Sequence, residues 1–140
     1  MSGGLQTVAM PDVEQAAVKY LKPLLPTGTI VGTEWPDRWD TKLAAGIVSV
    51  TLGGGGSRQK PVTADRTLDI DILGSTKKQA RDLAALVSAH LVAAQGTTQH
   101  GARIYGVDET SLIWLPYTPS AETDAIPRYV LVMSMVVRPA

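Results

Sequence analysis

Apolar and polar residues alternate most strictly between residues 65 and 72, in the middle of the chain. One set of alternate positions carries Leu68, Ile70 and Ile72, and the other carries Asp65, Thr67, Asp69 and Asp71. Successive side chains of a strand project to opposite faces, so this pattern predicts a strand with its aliphatic face in the core. The three aspartates then lie together on the face that is turned away from the core.

Two segments show the 3.6-residue period of amphipathic helices instead. The first begins after Asp12, a residue that caps helix N-termini, and we expect it to end near Pro23, which has no N–H to donate. The second runs from Lys77 to Ala94 after the capping residue Thr76, and a glutamine follows each cap by three residues. That spacing is typical of a capping box, in which the two side chains accept hydrogen bonds from free backbone N–H groups at the helix start, so it predicts where both helices begin.

The remaining apolar runs are short and predict further strands, at 29–33, 43–52, 102–107, 112–115 and 128–138. Strands joined by hairpins and flanked by helices indicate an α+β fold. We therefore predict a single, mostly antiparallel or mixed sheet of about five strands with two helices packed on one face. Residues 1–10 are expected to form a flexible N-terminal arm, and residues 11–140 a single domain.

A glycine-rich segment, Gly53–Ala64, separates two predicted strands and contains four consecutive glycines. Glycine loses more backbone entropy on ordering than any other residue, so the sequence predicts a long, mobile hairpin loop over 53–64. Arg58 and Lys60 beside the glycines raise the alternative of a phosphate cradle. The segment lacks the Gly-Lys-Ser/Thr ending and the following helix of a P-loop, and a flexible contact arm is the favoured interpretation.

The last predicted strand, Arg128–Arg138, is apolar on both of its faces. Two helices on one side of a sheet cover only one face, and the opposite face of this strand includes Val132 and Val136. A large uncovered apolar face is unusual on a soluble monomer. The pattern therefore predicts that loops or a second copy of the chain close this face, and that aspartate at Val132 or Val136 abolishes assembly or folding.

Composition narrows the possible functions. The chain carries 13 basic and 13 acidic side chains and no cysteine. A balanced charge argues against a dedicated nucleic-acid binder or a membrane surface, and the lack of cysteine excludes disulfides and Cys-ligated zinc. No signal peptide or membrane-spanning stretch is visible, so we expect a soluble protein made in the cytoplasm. No residue set predicts catalysis, a cofactor or a bound metal.

Two residue groups leave alternatives open. Asp69 and Asp71, with Asp65, have the chemistry to hold a divalent cation in a small nuclease, but a solvated or subunit-facing strand is the favoured interpretation. The aromatic residues of the proline-flanked loops form either a partner-binding surface or a satellite cluster beneath the loops. These aromatic residues are Trp35, Trp39, Trp114 and Tyr117.

Short motifs recur along most of the chain, at Pro11–Val13, Tyr20–Lys22, Ser57–Arg58, Leu68–Asp71, Ala80–Ala84, Trp114–Pro116, Pro127–Tyr129 and Val136–Pro139. In these segments the sequence resembles the small tail terminator proteins of long-tailed bacteriophages, which are also described as tail-to-head joining or minor tail proteins.

The resemblance implies a non-enzymatic virion protein at the head–tail junction, assembled in the host cytoplasm. Such proteins form a ring, usually a hexamer, that caps the tail tube and presents a surface to the head connector, with DNA passing through the ring. The partners expected on this basis are other copies of the chain, the tail tube protein and the head connector or stopper protein. Another neck protein, such as a head-completion protein, is the nearest alternative. Residues expected at a subunit or tube interface are Arg58, Lys60, Arg66, Asp69, Asp71, Trp114, Tyr117 and Arg128.

Overall fold

A computed structural model describes residues 9–54, 57–59, 63–121 and 124–140. Within these residues the chain forms two helices and seven strands, with two short 3-10 turns at Trp39–Thr41 and Leu43–Ala45. In chain order the elements are α1 (Val13–Leu21), β1 (Ile30–Gly32), β2 (Ile47–Gly54), β3 (Ser57–Gln59), β4 (Thr63–Leu73), α2 (Lys77–Ala93), β5 (Thr98–Gln99), β6 (Ala102–Trp114) and β7 (Arg128–Pro139).

Both helix starts follow the predicted capping chemistry. The Asp12 side chain accepts a hydrogen bond from the Gln15 N–H at 3.1 Å, and Thr76 accepts one from the Gln79 N–H at 3.1 Å. The Gln79 side chain also accepts from the Ser75 N–H at 2.7 Å, which satisfies a further donor beside the helix start. Helix α1 ends at Leu21, two residues before Pro23, as the missing proline donor requires.

The strands form one mixed sheet in the order β1-β2-β4-β7-β6-β5, and β3 pairs with β4 outside this path. Only β1 and β2 run parallel; the other described pairs are antiparallel. The predicted α+β class is confirmed, with six strands along the main path instead of about five. Strands β4 and β7 lie at the centre and pair over ten consecutive positions, from Ala64 with Val137 to Leu73 with Arg128.

The hydrophobic core lies between this sheet and the two helices, which share one buried cluster. Leu68, Ile70 and Ile72 of β4 are completely buried in it, as their alternation predicts. The aspartates and Thr67 of the same strand therefore point to the opposite side of the sheet, which we call the helix-free face.

The structure differs from the sequence prediction along β6. The runs 102–107 and 112–115 were predicted as two short elements, but they belong to one strand of 13 residues. Register shifts occur between Ile104 and Gly106 and between Glu109 and Ser111. Each shift inserts an extra residue and moves the following side chains to the other face, so the strand has no continuous alternation in its sequence.

The glycine-rich segment is also shorter as a loop than predicted. Strand β2 runs to Gly54, β4 begins at Thr63, and β3 pairs with β4 between them. Ladder pairing therefore reaches Gly54 at one end of the segment and Thr63 at the other. The predicted arm over residues 1–8, Lys60 and the side chain of Arg58 lie outside the described residues.

Candidate functional site

The helix-free face is the surface on which most of the predicted interface residues meet. Its side chains come from alternate positions of β4, β7 and β6, and the pairing register arranges them in rows across these strands. Asp71 lies in the row of Val130 and Ile113, and Asp69 in the row of Val132 and Ser111. Rows are about 6.7 Å apart, because each step along a strand covers two residues.

An aromatic cluster of Trp35, Trp39 and Tyr117 covers one end of this face. The ring centroids of Trp35 and Trp39 are 5.1 Å apart, those of Trp35 and Tyr117 5.2 Å, and those of Trp39 and Tyr117 5.7 Å. All three pairs meet edge to face, which is a favoured geometry for aromatic rings. For these three residues the satellite-cluster interpretation describes the fold, because they close the loops onto the sheet.

Arg128 and Asp71 connect the aromatic cluster to the central strands. The Trp35 indole N–H donates to an Asp71 carboxylate oxygen at 2.9 Å, and the Arg128 guanidinium lies 3.9 Å from the other oxygen. Arg128 also donates from Nε to the Leu115 carbonyl at 2.9 Å and lies 5.5 Å from the Tyr117 ring centroid. Three predicted interface residues, Asp71, Tyr117 and Arg128, are thus brought together, and their contacts fix the loops in place.

Trp114 lies apart from this cluster, on the helix side of the sheet. Its ring centroid is 5.1 Å from that of Tyr129, and the Lys77 ammonium is 4.7 Å from the Trp114 ring. Trp114 packs against the main core as a half-buried residue. The contact joins the start of α2 to the end of β6, so Trp114 does not belong to a satellite cluster with Trp35, Trp39 and Tyr117.

Asp69 and Asp71 have different surroundings despite their shared face. Asp69 is exposed, and its carboxylate covers Gly53: a Cβ added at Gly53 would lie 2.6 Å from an Asp69 oxygen. Asp71 is occupied by Trp35 and Arg128. Across the described residues, no group of three His, Cys, Asp or Glu side chains has a geometry suited to a metal ion. The contacts of Asp71 are those of a structural carboxylate.

An apolar patch of Ile113, Val130 and Val132 lies beside the aromatic cluster on the same face. Ile113 is 51% exposed, and Val130 opposite it is only half-buried, as is Val132. The loops therefore cover only part of the second face of β7. That a second copy of the chain covers these side chains stays a prediction.

The middle of the helix-free face is polar. A shallow hollow of about 300 Å³ lies there, lined among others by Asp65, Asp108, Ser134 and Val136. Arg66 also lines it and donates to the Asp65 carbonyl at 2.9 Å. Asp69 and Asp108, two exposed carboxylates in neighbouring rows, form what we call the acidic band.

The other end of the face carries a group that the sequence analysis missed. Arg103 and Arg138 are directly paired across β6 and β7, and each guanidinium carbon lies 5.7 Å from the Tyr105 ring centroid. We call Arg103, Tyr105 and Arg138 the basic tip. The two arginines are 35 positions apart in the chain, so only the strand register could have revealed their contact.

No protein-family model matches the chain, and no curated protein matches it significantly. None of the described helices is long and apolar enough to cross a membrane.

Proposed function

We propose that this chain is a tail terminator of a long-tailed bacteriophage: a structural virion protein that forms a ring, caps the tail tube and joins it to the head connector. Six copies are expected in the ring, from the resemblance described above. The proposal includes no catalysis and no cofactor, and it locates the protein at the head–tail junction after assembly in the host cytoplasm.

The observation that carries the proposal is the apolar patch on the helix-free face. Ile113 of β6 and Val130 and Val132 of β7 are neighbours on this face, and the aromatic cluster leaves them partly exposed. Apolar side chains that stay exposed on a sheet face favour burial against another protein, because each buried CH₂ group contributes about 0.8 kcal/mol. A ring subunit has such neighbours: further copies at its sides and different virion proteins above and below it.

The nuclease alternative has less support. A two-metal or one-metal site would need free carboxylates, whereas Asp71 accepts from the Trp35 indole and lies near the Arg128 guanidinium. A neck protein of another kind, such as a head-completion protein, would use the same apolar patch, so its position in the particle distinguishes it from a tail terminator.

Labelling of the protein in intact particles tests the proposal. A small label on Ala93→Cys, at the exposed last residue of α2, leaves the helix-free face unchanged. Electron microscopy of labelled particles should show the label as a ring at the junction of tail tube and head connector. Label on the head side of the connector would favour the head-completion alternative, and label on the tail tip or the capsid shell would contradict both.

A further inference from the structure

The basic tip is an unusual arrangement for a surface without a partner. Like charges directly opposite each other on neighbouring strands destabilise a sheet. Among the described residues, neither Arg103 nor Arg138 has an acidic side chain within ion-pair distance, and both contact the half-exposed ring of Tyr105. Both guanidinium groups contact the Tyr105 ring, so two positive charges and one aromatic ring share a small area of the surface.

The same face carries the opposite charge at a distance that the fold keeps fixed. Asp108 is in the row of Ser134, four residues along β7 from Arg138, and Asp69 is in the row of Val132, six residues along. At about 3.3 Å per residue these rows are about 13 Å and 20 Å from the tip. The screening length is about 8 Å at physiological ionic strength, so the attraction between the tip and these two rows within one chain is weak. Asp65 is nearer, in the row of Val136, two residues along β7 from Arg138. Among the described side chains, neither Asp69 nor Asp108 forms an ion pair with Arg103 or Arg138, so these two carboxylates stay open to a second copy.

We infer that the basic tip of one copy docks on the acidic band of the next copy of the same chain. Charge complementarity selects this partner: the chain carries both halves of the contact on one face, and its formal net charge is zero. Arginine is suited to such a contact, because its planar guanidinium donates to a carboxylate through two parallel hydrogen bonds. The hollow beside Asp108 has a volume of about 300 Å³ and an apolar residue, Val136, in its lining, and it accommodates the arginine stem.

A contact between two different patches is isologous when two copies make it reciprocally and heterologous when it passes from copy to copy, and the proposed ring requires the heterologous form. The inference names the subunit contact of the proposed ring and to that extent rests on the proposed function. Gly106 lies between the tip and the band and lines the hollow. A Cβ there would meet the Val136 side chain at 3.9 Å, an ordinary contact, so the backbone does not require glycine at this position. The glycine instead leaves the hollow open for an arginine of the next copy.

A charge swap tests the inference. One variant carries Arg103→Glu and Arg138→Glu, and a second carries Asp69→Lys and Asp108→Lys; a circular-dichroism melt checks that each folds. Association is followed by sedimentation velocity in a low-salt buffer. Each variant alone should associate at least about tenfold more weakly than the unmodified chain. An equimolar mixture should regain association, because each reversed surface then finds its complement on the other variant.

Cysteine trapping detects the same contact even when it is short-lived, and the absence of native cysteine gives a clean background. Chains with Ala140→Cys, an exposed position two residues beyond Arg138 that leaves the basic tip intact, are mixed with chains with Thr67→Cys, which lies beside the hollow. Oxidation should give a mixed disulfide dimer. The matched control replaces Thr67→Cys by Val92→Cys, an exposed position on α2.

Trapping no greater than the control, together with no recovery in the charge-swap mixture, overturns the inference. Association that survives charge reversal, or a tip that binds a DNA duplex and not a second copy, overturns it as well. These outcomes are distinct from a failure of the proposed function. A ring at the neck without trapping refutes only the contact, and trapping by a chain that is absent from the neck refutes only the proposed function.

Discussion

Replacement of Trp35 by phenylalanine probes the contacts that close the loops onto the helix-free face. The change keeps an aromatic ring in the aromatic cluster but removes the indole N–H that donates to Asp71 at 2.9 Å. Arg128, at 3.9 Å, is then the remaining polar neighbour of this carboxylate among the described side chains. The Trp35→Phe variant therefore isolates one charge-assisted hydrogen bond from the packing around it.

The expected loss follows from the surroundings of the bond. Hydrogen bonds to charged groups contribute about 1.5–3 kcal/mol to the free energy of unfolding. The Asp71 side chain keeps 32% of its surface exposed, so water replaces part of the lost interaction. We therefore expect the low end of that range, about 1.5 kcal/mol. Trp39→Phe is the matched control, since Trp39 contacts the same two aromatic rings, and its loss should stay near 0.5 kcal/mol.

Urea unfolding followed by circular dichroism measures both variants, and the slope with denaturant should not change between them. A third variant, Asp71→Asn, retains an acceptor oxygen and should lose less than Trp35→Phe. Equal losses for Trp35→Phe and Trp39→Phe would refute the structural role of the Trp35–Asp71 hydrogen bond. A carboxylate that is free of Trp35 would also restore the case for a metal site at Asp71.

Three further predictions concern the apolar patch, the helices and the metal question. Val132→Asp places a second carboxylate opposite Asp69 on a half-buried position; the chain should still fold by circular dichroism but fail to enter particles, while Val132→Thr enters them. Tyr20 donates to the His90 carbonyl at 2.7 Å, so Tyr20→Phe should cost about 1 kcal/mol in urea unfolding at neutral pH. Burial raises the pKa of Tyr20 above 10.0. The stabilisation by the protonated Tyr20 hydroxyl is therefore complete below pH 10 and is lost as the pH rises through the folded-state pKa. Above pH 10 the free energy of unfolding should fall less steeply with pH in Tyr20→Phe than in the unmodified chain. Magnesium should not shift the midpoint of thermal unfolding. Changing both Asp69 and Asp71 to Asn should abolish no magnesium-dependent DNA cleavage, because the unmodified chain should show none.

The sequence predicted those elements whose cause is local. The β4 alternation and the two capping residues depend on neighbours within four positions, and the structure confirms them. Strand β6 was predicted as two pieces, because its register shifts interrupt the alternation that identifies a strand. The final strand was correctly predicted to be apolar on both faces, but the sequence did not say how much of the second face the loops cover.

The candidate site depends on contacts between residues far apart in the sequence, and the spacing of apolar residues does not predict such contacts. Trp35 and Tyr117 are 82 positions apart and meet only because β4 and β7 bring Asp71 beside Arg128. The basic tip depends on the pairing of Arg103 with Arg138. The register shifts in β6 change which residues of β6 and β7 are opposite each other, so this pairing could not be predicted from the residue numbers alone. Like charges in separate segments gave no signal until the sheet placed them side by side.

The most direct test of the proposed function is the structure, determined by cryo-electron microscopy, of the neck of a long-tailed phage particle that contains this chain. We expect a closed ring of identical copies, six in number, between the tail tube and the head connector. Each basic tip should contact the acidic band of the neighbouring copy, and the apolar patch should be buried. A single copy of the chain at the neck, or a position elsewhere in the particle, would contradict the central claim.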